Sequence, residues 1–323
     1  MRPLSGVLAV LLAALPLSAR AADELRLAQN LSPIFGVALV AEEKGFLAKH
    51  GLTVTLNNFT SGRAALQSVL GGGADIATVA EAPITAAAFN AQPVALLARI
   101  NVSDVKTLTR TEADIRGLAD LRGKRIGFAA GTGSEVYTAT LLKKAGLIAK
   151  DVTLVALQPQ DMVAALSNAS IDAYDVWEPH IANGRKALGA QASELPTRGV
   201  YGETFNIVAL KPWLTANPET ARYLLAALIE AHEWIKANRD EAITVIAKAV
   251  NLPREDLAAG FDDYRYDVVL DDGVLETLKA HAAWRLDSGN VPQGVTALPD
   301  FTEVVVPEPL RAVAPDRVKL EGK

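Results

Sequence analysis

The sequence predicts an α/β protein of two similar lobes, each a mostly parallel sheet flanked by helices. Three observations carry that expectation. Short apolar or β-branched runs alternate with longer stretches of helical spacing through most of the chain, and such alternation favours parallel sheets covered by helices. A chain of 323 residues, 50% of them hydrophobic, exceeds what one core usually holds and suits two lobes of about 150 residues each. Finally, residues 64–83 read AALQSVLGGGADIATVAEAP and residues 164–179 read AALSNASIDAYDVWEP. In both, an Asp (Asp75, Asp172) is followed four residues on by Val (Val79, Val176) and six on by Glu (Glu81, Glu178), with Pro83 or Pro179 just after. An offset of 100 residues is far longer than a solenoid repeat, so the echo points to two related lobes.

Taken in chain order, the first segment carries Arg2, an apolar run at 7–17, and Ala19 and Ala21 in an A-x-A arrangement. That is the layout of a cleavable export signal over residues 1–21, with the mature chain starting at Ala22. Pro3 and Pro16 bracket the run, which is shorter than the roughly 20 residues of a membrane span. A strand is expected near 25–27, then a helix through Val37, Leu39, Val40, Phe46 and Leu47 to a stop at Gly51. LTVTLNNF alternates and favours β-branched residues, so it reads as a strand. Ser61 opens a helix that stops at the glycines 71–73, and strand signals follow around 76–79, 94–100, 125–129 and 152–157.

Beyond about residue 208 the pattern turns helical, with starts at Pro218-Glu219 and at Asp272. The expected organisation is lobe 1 from 22–103 and 208–323, its C-terminal part helical, and lobe 2 from 104–207. The chain is expected to cross between lobes twice, near 99–109 and 202–208, which makes a two-crossover hinge.

Composition narrows the function. Without Arg2 and Arg20 the remaining 30 basic side chains face 37 acidic ones, and no run of Lys or Arg occurs, so nucleic acid is not an expected partner. The absence of cysteine removes disulfides, a thiol nucleophile, Cys-based metal sites and lipid attachment at a cysteine. His50, His180, His232 and His281 show no metal-ligand spacing, and no nucleophile elbow, P-loop or complete dinucleotide fingerprint is present. No catalytic residue, metal or cofactor is expected.

In open parallel sheets, ligands bind beyond the carboxyl ends of strands, where helices begin. The helix openings Ser61-Gly62-Arg63 and Gly131-Thr132-Gly133-Ser134 fall there, and so do Glu81 and Glu178. A helix N-terminus offers unpaired N–H groups and a partial positive charge, which suit an anion. Two readings of the GTGS stretch stay open: donors for a ligand, or a turn with an ordinary cap. Trp177 is either a wall of the cleft or core packing, and His180 either touches ligand or lies on a surface loop.

Together, the export signal, SPIFGVALVAEEKGFLAKHGLTVTL, TSGRAALQSVLGGGADIATVAEAPI, LADLRGKRIGFAAGTGSEVYTATLLKKAGL and IDAYDVWEP resemble the substrate-binding proteins of nitrate/sulfonate/taurine-type ABC importers. They are also similar to thiamine-pyrimidine-precursor binders. The resemblance implies a type II periplasmic binding protein fold that closes around one small organic anion or zwitterion and delivers it to a membrane permease and ATPase. The export signal and the absence of cysteine predict a soluble periplasmic monomer without a lipid anchor. Implied ligand contacts are Asn30, Leu31 and Ser32, the Ser61-Gly62-Arg63 start, Glu81, residues 131–134, Trp177 and Glu178. Two carboxylates near the cleft would repel a bare anion, which a zwitterion or Arg63 would offset. The alternatives are a pyrimidine-precursor binder and a synthase-like enzyme on the same fold; the export signal argues against the enzyme.

Overall fold

The computed structural model describes residues 22–321; the expected export signal at 1–21 lies outside them. The strands are β1 (Asp23–Asn30), β2 (Leu52–Phe59), β3 (Ile76–Ala80), β4 (Val94–Asp104), β5 (Lys106–Arg110), β6 (Arg125–Phe128), β7 (Thr153–Ala156), β8 (Ala173–Val176), β9 (Ala192–Glu194), β10 (Gly202–Leu210), β11 (Arg265–Asp271) and β12 (Val318–Lys319). They form a seven-stranded sheet in the order β12-β11-β4-β10-β3-β1-β2 and a five-stranded sheet in the order β7-β6-β8-β5-β9. No helix among the described residues is long and apolar enough to cross a membrane.

The sheets are mixed rather than mostly parallel. β1 pairs in parallel with β2 and β3, and β6 with β7 and β8. β10 runs antiparallel to β3 and β4, and β5 antiparallel to β8 and β9. The reason is topological. β10 enters the first sheet between β3 and β4 after leaving the second, and β5 enters the second between β8 and β9 after leaving the first. Each lobe therefore contains one inserted strand that runs against its neighbours. Only buried Val105 separates β4 from β5, and its N–H donates to the Tyr201 carbonyl at 3.2 Å, beside the returning segment.

The echo has a structural counterpart. Helix Gly62–Leu70, β3 and helix Glu81–Phe89 correspond to helix Met162–Ser167, β8 and helix His180–Leu188. The two aspartates make the same contacts. Asp75 accepts from the Arg26 backbone N–H at 2.9 Å and from its Nε and Nη2 at 3.1 and 2.6 Å. Asp172 accepts from the same three groups of Arg125 at 2.8, 3.1 and 2.6 Å. Each aspartate ties a strand (β1 or β6) to the loop that feeds its parallel neighbour.

The C-terminal third is helical as expected, but it also supplies β11 and β12 to the first sheet. RYDVVLD is rich in strand formers, and its Val268, Val269 and Leu270 are buried against β4. Helix Pro218–Ala237 turns Ala221, Leu224, Leu225, Leu228 and Ile235 inward. That spacing is one face of a helix, and each fully buried leucine contributes about 1.5–3 kcal/mol.

Candidate functional site

Two helix starts face one another across the lobes. Ser61 has extended backbone and caps helix Gly62–Leu70 through Oγ, which accepts the Ala64 N–H. Gly62 sits there because a side chain would press on the β3 backbone: a Cβ would lie 3.0 Å from Val79 Cα. In the other lobe Thr132 caps helix Gly133–Lys144, its Oγ1 accepting the Ser134 N–H at 3.2 Å. Gly131 has φ +74°, a conformation that favours glycine, and a Cβ on it would lie 2.9 Å from Arg63 Nη1 of the opposite lobe.

Between these starts lies a small cavity of about 20 Å³. It is lined by Asn30, Ser61, Gly62 and Arg63 from the first lobe and by Thr132 and Trp177 from the second. Phe35 and Phe205, an edge-to-face pair with centroids 5.5 Å apart, add apolar walls. Arg63 also borders a second, larger cavity of about 470 Å³, with Pro83, Gly131, Glu135, Arg285 and Asn290 around it. Arg63 and Pro83 are common to both spaces.

Glu203 of β10 is the charged residue of the smaller cavity's lining that sequence reasoning missed. Its side chain is buried and lies at the start of helix Gly133–Lys144, where it takes a hydrogen bond from the Gly133 backbone N–H. A Cβ on Gly133 would lie 2.5 Å from its Oε1. Oε2 is buried without a hydrogen-bond partner. Burial, together with the neighbouring Glu81 charge, pushes the Glu203 pKa well above the carboxylate range, against the pull of the Gly133 N–H.

Several expected contacts do other work. Glu81 is fully buried and accepts from the Tyr201 hydroxyl, from the Thr204 N–H at 2.7 Å and from Thr204 Oγ1 at 3.0 Å. It staples the β3 end to β10 and does not line the cavity. Glu178 is 1% exposed and is held by Lys106 Nζ at 3.0 Å, Arg185 Nη2 at 3.3 Å and the Ala182 N–H at 2.9 Å. Ser32 caps the turn Pro33–Phe35, and Leu31 is exposed outside the cavity lining. Ser134 is fully buried; its Oγ donates to the Asp175 carbonyl at 2.6 Å and accepts the Ala129 N–H at 2.9 Å. His180 opens helix His180–Leu188 and does not line the cavity; burial drives its pKa down to about 4.

Beneath the second helix start lies a buried polar cluster. Asp175 accepts from Thr107 Oγ1 at 2.6 Å and from Thr138 Oγ1 at 2.7 Å, and burial raises its pKa to about 7 against those two hydroxyls. No group of three or more His, Cys, Asp and Glu placed to hold a metal occurs among the described residues.

A family model described as NMT1/THI5 like matches residues 32–242. The taurine-binding periplasmic protein of Escherichia coli (strain K12) is 26% identical over 232 residues, covering 68% of this chain and 71% of that protein. Among solved structures, the alkanesulfonate-binding protein of Xanthomonas axonopodis pv. citri bound to MOPS superposes with a TM-score of 0.76 at 20% identity, over 89% of this chain and 100% of that one. The periplasmic nitrate-binding protein of Synechocystis PCC 6803 does so at 0.72 and 18% identity, over 91% and 89%. These likenesses identify the fold as the two-lobed one of periplasmic binding proteins. The family match spans both helix starts and Glu203, and the chain belongs to the NMT1/THI5-like family.

Proposed function

We propose that the protein is the solute-binding component of an ABC importer. It captures a small organic anion or zwitterion of the sulfonate, taurine or nitrate type between its lobes and hands it to a membrane permease powered by an ATPase. It performs no chemistry on the solute and works as a monomer in the periplasm. The observation that carries this reading is the pair of capped helix starts, one per lobe, that face each other over a cavity walled by Trp177, Phe35 and Phe205. The names of the taurine- and sulfonate-binding relatives support the solute class.

The test is a thermal-shift and calorimetric screen of sulfonates, aminosulfonates, nitrate, carboxylates and pyrimidines. A ligand that binds only the folded chain at a hundred times its Kd adds about 2.7 kcal/mol to stability. The expected result is saturable binding of one anion or zwitterion per chain, with the ligand recovered unchanged. Binding confined to the pyrimidines would replace this reading with that of a precursor binder.

A further inference from the structure

We propose that the solute is dipolar and lies in one fixed direction, its N–H-bearing end on Glu203 and its acidic end between Arg63 and Arg285. This rests on the solute-binding reading above and narrows the class of solute.

The start of helix Gly133–Lys144 is the natural seat for an anionic head, but that seat is filled. Glu203 takes the Gly133 N–H, and its Oε1 lies only 2.5 Å from where a Cβ on residue 133 would be. A second anion placed there would meet the Glu203 carboxyl group at short range and would have to displace it from the Gly133 N–H. What Glu203 lacks is a donor. Its Oε2 is buried and unpartnered in a cavity-lining side chain, and a buried acceptor without a partner is a destabilised group that a ligand N–H relieves. When a cationic amine takes that position, Glu203 holds it as the carboxylate, and any proton Glu203 carried leaves to solvent. The aromatic walls exclude water from the contact, which strengthens it.

The complementary charge sits in the adjoining cavity. Arg285, on helix Asp272–Asp287, is 7% exposed; its Nη1 donates to the Asn290 carbonyl at 3.3 Å, while its Nε is buried without a partner. Burial and the neighbouring Arg63 charge both push its pKa down, as expected for a guanidinium that lacks a counter-ion. Arg63 has no hydrogen bond or ion pair among the described residues and borders the same space. The one nearby carboxylate, Glu135, is turned to the Gly131 N–H at 2.7 Å and offsets the two arginines only in part. An acidic group between the guanidiniums would be held by planar donors suited to carboxylate or sulfonate. Arg63 lines both spaces, and on this assignment one molecule spans from Glu203 past Arg63 to Arg285. Arg285 lies beyond the family-matched residues.

The experiment is calorimetry on matched pairs: short straight-chain ω-aminosulfonates and ω-aminocarboxylates, each beside the same acid without its amine. In the wild-type protein at least one amine-bearing member should bind roughly tenfold or more tighter than its partner. Glu203→Gln, which keeps an acceptor for the Gly133 N–H, should erase that preference while circular dichroism and melting show a folded chain. Arg285→Met should weaken the amine-bearing acid about tenfold or more and leave Glu203-dependent discrimination in place. Equal or tighter binding of the acids without amines, with Glu203→Gln neutral, would overturn the dipolar assignment and leave the solute-binding reading standing. Failure of every acid, with and without amine, and of nitrate to bind the folded wild-type chain would overturn both.

Discussion

At the scale of single residues, the two carboxylates that the sequence marks most clearly are not the one that faces the cavity. Glu81 and Glu178 recur because β3 and β8 end alike, and each is consumed by partners within the protein. Glu203 carries no motif; it is one acidic residue in the strand GETFNIVAL, and only the pairing of β10 with β3 and β4 brings it to the second helix start. Gly133→Ala tests that contact directly. With a Cβ 2.5 Å from Glu203 Oε1, the carboxyl must move from its backbone donor, and overpacking of this kind costs about 1–3 kcal/mol. Urea denaturation should show that loss, whereas an unchanged midpoint would mean that Glu203 shifts freely. Asp175 gives a second residue-scale prediction. Its folded pKa near 7 lies above the ordinary 3.8, so between those values the folded chain holds a proton that the unfolded chain has released. Stability therefore falls as pH rises through this window, by at most about 4 kcal/mol for a shift of this size. Asp175→Asn should flatten the difference in unfolding free energy between pH 5 and pH 8, measured by denaturation; an equal slope in both proteins would contradict the assignment.

At the scale of elements, legibility follows how far each pattern depends on distant chain. LTVTLNNF was readable to the residue as β2, because alternation and β-branching are local properties. β4 was readable only to residue 100, although it runs to Asp104; Asn101 and Ser103 look like loop residues, yet they are buried where the strand approaches the crossing. β9 and β12, with three and two residues, are too short to show a period, and they exist because β5 and β11 offer an edge. The site divides in the same way. Asn30, Ser61, Gly62, Arg63, Thr132 and Trp177 were legible as strand ends and helix starts, while Phe35, Phe205 and Glu203 required the sheet order. Arg285 was hidden because an arginine in an amphipathic helix ordinarily reads as its solvent face. The helix that delivers it is fixed at its start by Asp271, whose Oδ1 accepts the Val274 N–H at 3.2 Å while Oδ2 accepts Arg99 Nη2 at 2.6 Å. Removing the cap and the ion pair together by Asp271→Ala should lower stability by about 1–2 kcal/mol. Hydrogen exchange should quicken in the first turn of helix Asp272–Asp287, and unchanged protection there would show that packing alone holds it.

At the scale of the whole molecule, both crossings meet at one place, and a single lysine joins the lobes beside it. Lys106, one residue past the Val105 crossing, donates to Glu178 of the second lobe at 3.0 Å and to Asp263 of the first at 2.6 Å. Burial acts to lower its pKa, but the two carboxylates outweigh it and the net shift is upward, so it is a cation under all ordinary conditions. Lys186 and Asp256 make a second, more exposed bridge between the lobes at 2.5 Å; exposed pairs of that kind contribute little. The buried one is different, because truncating Lys106 leaves Glu178 with Arg185 at 3.3 Å as its remaining cation and Asp263 with Arg198 at 3.9 Å. Breaking a buried pair from one side typically costs about 3–5 kcal/mol, and Lys106→Met should approach the lower end because both carboxylates keep a partner. Since the bridge exists only while the lobes are together, its loss should favour the open arrangement, and a ligand that touches both lobes should restore the closed one by its differential affinity. Small-angle scattering of Lys106→Met should therefore give a larger radius of gyration than wild type without ligand, converging on the wild-type value at saturation. Identical radii in the absence of ligand, together with a lowered denaturation midpoint, would show that Lys106 stabilises the lobes individually and has no part in closure.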